Sequence, residues 1–471
     1  MNSNHWPAFF AGVVVWLVAA PLYAWSQIQL SSSENQMGQM GGVARKLVTF
    51  NNENAFGGGI KHDNGSITFT EAGTYFVIAT ARAGSSDGKG RGDVSLWLRL
   101  NHQDLPNSIR HQAILHGSTA MLVSQRVVEV ESGDKLELAF SLREWNWPEE
   151  QFGKNLFGEK LGLIASKPKR EPSVPSVTFT AFRFESTKYA QFCSTDSQPA
   201  EMAGQRVTLN QTDATQEIEN VKGVVTFKAA GTYFVMAVAQ VGATNKSRGP
   251  IHLWMQHNGV EIAGSNAERD ASVWTYGALV TQVVVECKGG DTLELVQSSD
   301  HTVGLEASSW EDGLVAPSVT LSIMQLDDNC HAQLSSHDSQ PARFEGKALT
   351  LDQIAATKEV ENDNGTMTIQ QAGTYFVCAV GQCGIAKGNG TGYVRMWLRQ
   401  NANDVDNSST EQTIDFRSST GQICQGIRVF NAGEKFQLVQ SGKGSSAGMI
   451  ASRPTDAPAI PSVKVSLFKI D

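Results

Sequence analysis

The chain has 471 residues, which is enough for about three domains of roughly 100–150 residues each. Hydrophobic residues make up 41% of it and charged residues 18%, proportions that are typical of a globular protein and argue against extended disorder. The formal net charge of −9 provides no basic field that would attract nucleic acid, so we expect no nucleic-acid partner.

An apolar run, Pro7–Trp25, lies near the start of the chain and is flanked by polar sequence. It predicts that residues 1–25 are either a cleaved signal peptide or a membrane anchor that is just long enough to span a bilayer. The first repeating unit begins directly after this run, and Ala24 is a suitable cleavage position, which favours the signal peptide. Both interpretations predict a secreted or cell-surface protein that meets the membrane only through an uncleaved leader.

One sequence of six residues, Ala-Gly-Thr-Tyr-Phe-Val, occurs three times without a change, starting at Ala72, Ala230 and Ala372. Its β-branched and aromatic residues favour a strand, and its glycine marks the turn that leads into it. A strand with tryptophan, a Gly-acid turn and a last strand opened by Pro-Ser-Val follow each copy at similar spacing. These features predict three copies of one β domain. The predicted domains are 28–187, 190–327 and 332–471.

Each predicted domain consists of short alternating strands that are separated by turn residues. Asn64-Gly65 and Asn364-Gly365 are strong signals for a two-residue hairpin, because both positions of a type I′ turn need a positive φ. No apolar period of 3.6 residues is sustained outside the leader. The sequence therefore predicts an all-β protein of three tandem antiparallel sandwiches.

The order of these motifs resembles the globular head of the complement C1q and tumour necrosis factor superfamily. The resemblance rests on the hairpin, the Gly-x-Tyr-x-apolar strand, a strand that ends in Asn101, Asn258 or Asn401, the Gly-Asp turn and a short last strand. The third unit departs from it with Gly433-Glu434, and no collagen-like sequence precedes the heads. The resemblance implies a jelly roll that packs as a trimer and binds partners without catalysing a reaction.

Strand geometry predicts where the repeated phenylalanine points. Neighbouring residues of a strand face opposite sides of the sheet, so Phe76 leaves the sandwich if Tyr75 and Val77 fill it. An apolar ring on the outer face of a sheet indicates an association surface unless a loop of the same domain covers it. The predicted association residues are Phe76, Phe234 and Phe376.

Two arrangements of the three heads follow from the repeat. The heads can close into one intramolecular pseudo-trimer, because tethering gives them a high effective concentration. Alternatively, the units can form a string in which the repeated Gln-Leu/Phe-Ser segment before each head pairs with an edge strand of a neighbour, a route to fibres.

An insertion at Arg143–Leu161 is present in the first unit alone and is rich in aromatic residues. Aromatic side chains on a loop of a rigid sandwich suit the recognition of a protein or carbohydrate. They also suit a structural role, in which they cover a sheet edge. The candidate residues for partner binding are Trp145, Trp147, Phe152 and Phe157.

Catalytic and cofactor motifs give no support for an enzyme. Gly-x-Ser-x-Gly occurs at 84–88 and 444–448, but neither copy precedes a helical pattern, as a nucleophile elbow would. Arg91-Gly-Asp93 resembles an integrin-binding triplet, yet the other units lack it. The six cysteines do not repeat with the domains, so we expect a fold that does not depend on disulfides. We therefore expect no catalytic, cofactor-binding or metal-binding residues.

Two hypotheses for the function remain. The first is an exported, non-enzymatic binding or adhesion protein that presents three heads to a protein or carbohydrate ligand at the cell surface, with self-association between the heads. The second is a structural subunit of an extracellular fibre or surface coat that assembles through its β domains.

Overall fold

A computed structural model provides the three-dimensional structure. It describes residues 25–38, 45–115, 118–143, 161–243, 247–272, 276–300, 302–309, 314–327, 330–387, 390–415, 419–444 and 446–471. The predicted leader, residues 1–25, lies outside this set except for its last residue. The described residues form strands, turns and connecting segments and contain no helix, in agreement with the predicted all-β class.

The first unit has fourteen strands in its described part, several of them only two residues long. They are β1 Gln27–Ser32, β2 Gln36–Met37, β3 Lys46–Leu47, β4 Asn52–Phe56, β5 Ile60–Asp63, β6 Ser66–Phe69, β7 Gly73–Ser85, β8 Gly92–Leu100, β9 Gln103–Asp104, β10 Arg110–Ile114, β11 Thr119–Val130, β12 Lys135–Arg143, β13 Leu161–Leu163 and β14 Val177–Arg183.

The second unit repeats this series and adds a small hairpin, β28–β29, before its last strand. Its strands are β15 Tyr189–Ser194, β16 Gln198–Pro199, β17 Gln205–Arg206, β18 Gln211–Gln216, β19 Ile218–Val221, β20 Val224–Phe227, β21 Gly231–Ala243, β22 Arg248–His257, β23 Val260–Glu261, β24 Ala267–Ser272, β25 Gly277–Cys287, β26 Thr292–Ser298, β27 Val303–Leu305, β28 Ser308–Ser309, β29 Val315–Ala316 and β30 Val319–Gln325.

The third unit follows the order of the first. Its strands are β31 His331–Ser336, β32 Gln340–Pro341, β33 Lys347–Ala348, β34 Gln353–Lys358, β35 Val360–Asp363, β36 Thr366–Ile369, β37 Gly373–Ile385, β38 Thr391–Gln400, β39 Asn403–Asp404, β40 Thr410–Asp415, β41 Thr420–Phe430, β42 Lys435–Lys443, β43 Ala447–Met449 and β44 Val463–Lys469.

Each unit is a sandwich of two antiparallel sheets. In the first unit one sheet has the order β2-β13-β7-β14-β1-β4, and β11 pairs with the long strand β7. The other sheet has the order β10-β8-β12-β6-β5, with β3 and β9 as short additions. The other two units repeat both sheets. The non-consecutive order of the strands is that of tandem jelly rolls, as predicted.

A separate apolar core lies between the two sheets of every unit. In the first unit it includes Tyr75 and Val77 from β7 and Leu138 from β12, all fully buried. The equivalent residues of the other two units fill cores of similar composition. Burial of this apolar surface is the main favourable contribution to the stability of each sandwich.

The predicted hairpins form where the sequence places them. Asn64 and Gly65, which connect β5 to β6, have φ angles of 45° and 92°. Asn364 and Gly365 adopt 47° and 101° in the third unit. Positive φ at both central residues defines the type I′ turn, whose twist matches that of the flanking strands.

The repeated N-terminal segments are interior strands of their own units. Strand β1 pairs with β14 on one side and with β4 on the other. β15 and β31 have the same two partners within the second and third units. These segments therefore do not pair with an edge strand of another unit, in contrast to the arrangement expected for a string of heads.

Candidate functional site: the three-way interface

The three repeated phenylalanines meet at the centre of the molecule. The ring centroids of Phe76 and Phe234 are 6.0 Å apart, those of Phe76 and Phe376 are 5.9 Å apart, and those of Phe234 and Phe376 are 6.2 Å apart. All three side chains have no exposed surface, and their rings are arranged edge to face. This geometry is favourable for aromatic rings and adds to the energy of burial.

A second layer of apolar side chains surrounds these rings. It includes Phe182, Met324 and Phe468, which occupy one position in the last strand of each unit. Phe182 lies 5.2 Å from Phe376, and Phe468 lies 5.1 Å from Phe234, so each ring contacts a neighbouring unit. The three sandwiches therefore share one apolar core, separate from the core inside each of them.

Three buried glutamines connect each unit to the next. Gln191 of the second unit accepts a hydrogen bond from the backbone amide of Val127 in the first unit, at 3.0 Å. Gln333 of the third unit accepts one from Val284 of the second, at 3.1 Å. Gln29 of the first unit makes the equivalent contact with the third unit. Buried backbone amides need a partner, so these side chains fix how the sheets meet.

The closing contact joins the third unit back to the first. The Oε1 atom of Gln29 accepts a hydrogen bond from the backbone amide of Ile427 at 2.8 Å. Gln29, Gln191 and Gln333 occupy equivalent positions in β1, β15 and β31. Repetition of one heterologous contact around a closed cycle is the arrangement of a ring with three members.

The outer strand of each unit carries a cross-strand pair whose chemistry differs between the three interfaces. The pairs occupy the same register of β10 with β8, β24 with β22, and β40 with β38. The pairs are Ser95 with His111, His252 with Glu268, and Arg395 with Glu411. We call the interfaces 1–2, 2–3 and 3–1 after the units that they join. The three pairs belong to these interfaces in that order.

Interface 1–2 contains a fully buried arginine. Arg110 of the first unit donates a hydrogen bond to the hydroxyl of Thr320 in the second unit, at 2.6 Å. Burial lowers the pKa of this guanidinium to about 10. Nearby, Asn107 donates to Asp213 at 2.9 Å and Arg126 forms an ion pair with it at 3.1 Å. Asp213 is the extra residue of a β-bulge, a feature that can redirect a side chain.

Interface 2–3 contains two titratable groups that are buried. The ammonium of Lys464 donates to the carbonyls of Ser265 at 2.8 Å and Asn266 at 3.1 Å, and to the hydroxyl of Thr281 at 3.0 Å. Burial lowers the pKa of Lys464 to about 7. Three acceptors of the second unit therefore hold the amino group of one lysine of the third unit.

The histidine of interface 2–3 lies between two carboxylates from different units. His252 approaches Glu268 of its own unit through Nε2 at 3.1 Å, and Asp456 of the third unit through Nδ1 at 3.3 Å. Burial acts to lower the pKa of His252, but the two carboxylates outweigh it, and the pKa is raised. Protonation of this imidazole therefore strengthens the contact between the second and third units.

Interface 3–1 contains a network of four charged side chains. Glu411 of the third unit is paired with Arg82 of the first, and both side chains are almost completely buried. Arg395 lies 2.6 Å from Glu411 and 2.6 Å from Glu171 of the first unit. Two cations and two anions from two units neutralise one another in a region from which water is largely excluded. Buried charges need such partners.

The interface residues other than phenylalanine were not predicted. One signal was present, because Gln29, Gln191 and Gln333 stand at the same place in the three aligned segments. A polar residue that recurs inside a strand of buried positions points to a hydrogen bond. The charged residues of the interfaces do not repeat, so their partners could not be identified from the internal alignment.

The remaining sequence candidates lie elsewhere. Trp145, Trp147, Phe152 and Phe157 are outside the described residues. Asp93 of the Arg-Gly-Asp triplet is buried in β8, whereas an integrin-binding loop would expose it. The Gly-x-Ser-x-Gly segment at 84–88 leads into strand β8. The six cysteines are buried and form no disulfide with one another. Among the described residues, no helix is long and apolar enough to cross a membrane.

Comparisons with known proteins find similarity to this chain among solved structures. No protein-family model and no curated protein matches it. Similar solved structures include murine APRIL at pH 5.0, with a TM-score of 0.22 and 11% identity over 29% of this chain and 98% of that one. Murine APRIL at pH 8.0 gives a TM-score of 0.21 and 12% identity over the same shares of the two chains.

Proposed function

We propose that the protein is an exported, non-enzymatic binding or adhesion protein whose three heads form one closed particle. In this role the heads resemble those of the C1q and tumour necrosis factor superfamily, and they engage a protein or carbohydrate partner at the cell surface. A single chain supplies all three heads, so the particle needs no second copy to complete its core.

The observation that carries this proposal is the closure of the interface cycle within one chain. Phe76, Phe234 and Phe376 bury one another completely, and Gln29 closes the cycle onto the third unit. The surface that such a head would otherwise use for assembly is therefore occupied. Other parts of each unit remain available for partners, including Phe56 in the first unit at 53% exposure, Val260 in the second at 69% and Phe344 in the third at 66%.

Three heads that differ in sequence suit a binding protein better than three identical ones would. Each unit keeps the same sandwich but carries different loops, and the insertion at Arg143–Leu161 belongs to the first unit alone. Loops on a rigid scaffold are the usual place for recognition residues. The first unit is accordingly the head that we assign to partner binding.

The fibre subunit is the weaker alternative. The repeated segments β1, β15 and β31 are paired on both sides within their own units, so they cannot donate a strand without unfolding a sheet. A fibre would have to use the exposed edge strands instead, where Phe56 and Ile354 are 53% and 54% exposed.

The test is a binding screen of the exported chain against intact cells and a panel of immobilised glycans. The matched variant replaces residues 144–160 with a short Gly-Ser turn and keeps the sandwich. We expect the full chain to bind a defined set of ligands and the loop variant to lose that binding while its thermal unfolding is unchanged. Absence of binding by the folded full chain, or equal binding by the loop variant, would contradict the assignment.

A further inference from the structure

The second unit contains a group of three metal-ligating side chains that the other units lack. His257 ends strand β22, Cys287 ends strand β25, and Asp291 follows the turn after it. One potential ligand atom from each residue lies within 4.8 Å of the other two. An imidazole nitrogen, a sulfur and a carboxylate oxygen are together a donor set that Zn²⁺ accepts.

The acid of this group has a structural role that all three units share. Asp291 accepts hydrogen bonds from the backbone amide of Lys288 at 2.7 Å and from the side chain of Asn258 at 2.9 Å. The equivalent Asp134 and Glu434 make the same two kinds of contact in the other units. The turn therefore accounts for the carboxylate, and the second unit alone adds a histidine that lies 3.0 Å from it and a neighbouring cysteine.

The same turn forms without histidine and cysteine in the other units. The position of His257 is occupied by Leu100 in the first unit and Gln400 in the third. Val130 and Phe430 stand at the position of Cys287. Since those two turns have the same backbone pairing, the turn itself requires neither ligating residue. Cys287 fills a core position that an apolar side chain fills in the other two units.

We propose that His257, Cys287 and Asp291 bind one divalent cation of the Zn²⁺ class. The carboxylate is already oriented, because Asn258 and the Lys288 amide hold it, and such contacts tune metal ligands. The imidazole and carboxylate side chains are 26% and 19% exposed, which leaves an approach for the ion and a place for a water ligand. The bound ion joins two strand ends and a turn of the second unit.

Metal binding requires the loss of one proton from the thiol. A coordinated thiol is deprotonated outright by the charge of the metal. The cation therefore replaces this proton, together with the hydrogen bond of 3.0 Å between His257 and Asp291.

The experiment is a titration of the full chain with Co²⁺, followed by displacement with Zn²⁺. We expect one Co²⁺ per chain, a thiolate-to-cobalt charge-transfer band in the near ultraviolet, and loss of the band when Zn²⁺ is added. Cys287→Val, which introduces the residue of the first unit, should abolish the band. His257→Gln, which introduces that of the third, should weaken binding by at least about tenfold.

The control is Cys330→Ala, which removes a buried cysteine from another unit and should leave the titration unchanged. His257→Gln keeps the thiol and changes a partly exposed position, so it tests the site even if the valine variant fails to fold. A wild-type chain with no charge-transfer band at excess Co²⁺ would overturn the proposal. An unchanged band in folded Cys287→Val, or unchanged affinity in His257→Gln, would overturn it as well.

Discussion

The side chain of Gln29 accepts a hydrogen bond from the backbone amide of Ile427, 398 positions further along the chain, at 2.8 Å. This contact brings the first strand of the first unit against the third unit. Equivalent contacts join Gln191 to Val127 and Gln333 to Val284, so the same relationship occurs at all three interfaces. One chain therefore forms a cycle that separate subunits form in a homotrimer.

Loss of one glutamine contact should destabilise the particle measurably. In Gln191→Leu, the amide of Val127 and the hydroxyl of Ser322 lose their acceptor in a buried position. We expect the free energy of unfolding to fall by about 1–3 kcal/mol, the cost of a buried polar group without a partner. Denaturant unfolding measures it. The control is Gln211→Leu at an exposed position, and equal unfolding midpoints for the two variants would contradict the assigned role.

A charge in the shared apolar core should separate the heads. Phe234→Glu places a carboxylate where Phe76 and Phe376 leave no water, and it removes a large apolar contact. We expect a loss of at least about 3 kcal/mol and a larger radius of gyration, which small-angle scattering measures. Phe344→Glu changes a ring that is 66% exposed and should leave both properties as they are. A compact Phe234→Glu particle of unchanged stability would count against a shared core.

The sequence predicted the sandwiches and their hairpins because those features depend on local patterns. Alternation along the strand also predicted that Phe76 leaves its sandwich, and its ring lies among the rings of the other two units. The sequence could not indicate that Lys464 reaches Ser265, since these residues are 199 positions apart and belong to different units. Contacts of this kind depend on how the heads are oriented relative to one another, and the repeated motifs do not determine that orientation.

The proposed metal site could not be predicted from the sequence either, although its three residues lie within one unit. His257 and Cys287 are 30 positions apart by their numbering and have no motif spacing, so the sequence does not indicate a metal site at these residues. The topology places both strand ends beside the turn of Asp291. The sequence signal for His257 and Cys287 is the difference between the units, because only the second unit has potential metal ligands at these two positions.

Removal of the central anion from interface 3–1 should be costly. Glu411→Gln leaves Arg82 and Arg395 without their shared carboxylate, and the side chain of Arg82 is only 9% exposed. We expect a loss of about 3–5 kcal/mol, as is found when one partner of a buried ion pair is removed. Thermal or denaturant unfolding provides the measurement.

The matched control for this network is the exposed pair of Glu34 and Lys167, whose side chains are 66% and 62% exposed. Glu34→Gln should change the stability by no more than about 1 kcal/mol, because solvent screens such pairs. If Glu411→Gln were as mild as this control, the four charges would not stabilise interface 3–1.

The contribution of His252 to interface 2–3 should weaken as the pH rises. The pKa of His252 is raised in the folded chain by Glu268 and Asp456, against the effect of burial. The folded state therefore binds the proton more tightly than the unfolded chain does, and this contribution is fully present below about pH 6.5. It is lost as the pH rises through the folded pKa of His252, because both states then have a neutral imidazole.

His252→Gln tests this pH dependence. The stability difference between the wild-type chain and His252→Gln, taken from unfolding curves measured from pH 5.5 upward, should decrease as the pH rises. The effect of Lys464, whose pKa burial lowers to about 7, is present in both proteins and cancels in this difference. The hydroxyl of Ser298, which donates to Asp456 at 3.0 Å, remains in both proteins and does not titrate in this range. The same slope in both proteins would show that His252 does not stabilise the interface through its charge.

One chain should form a complete particle with three heads. Light scattering coupled to size exclusion measures the mass of that particle directly, over a range of protein concentrations. We expect a compact species of one chain, with a mass of no more than 50.9 kDa at every concentration. A mass of three chains, or polymers that grow with concentration, would contradict the closed cycle and favour assembly between chains.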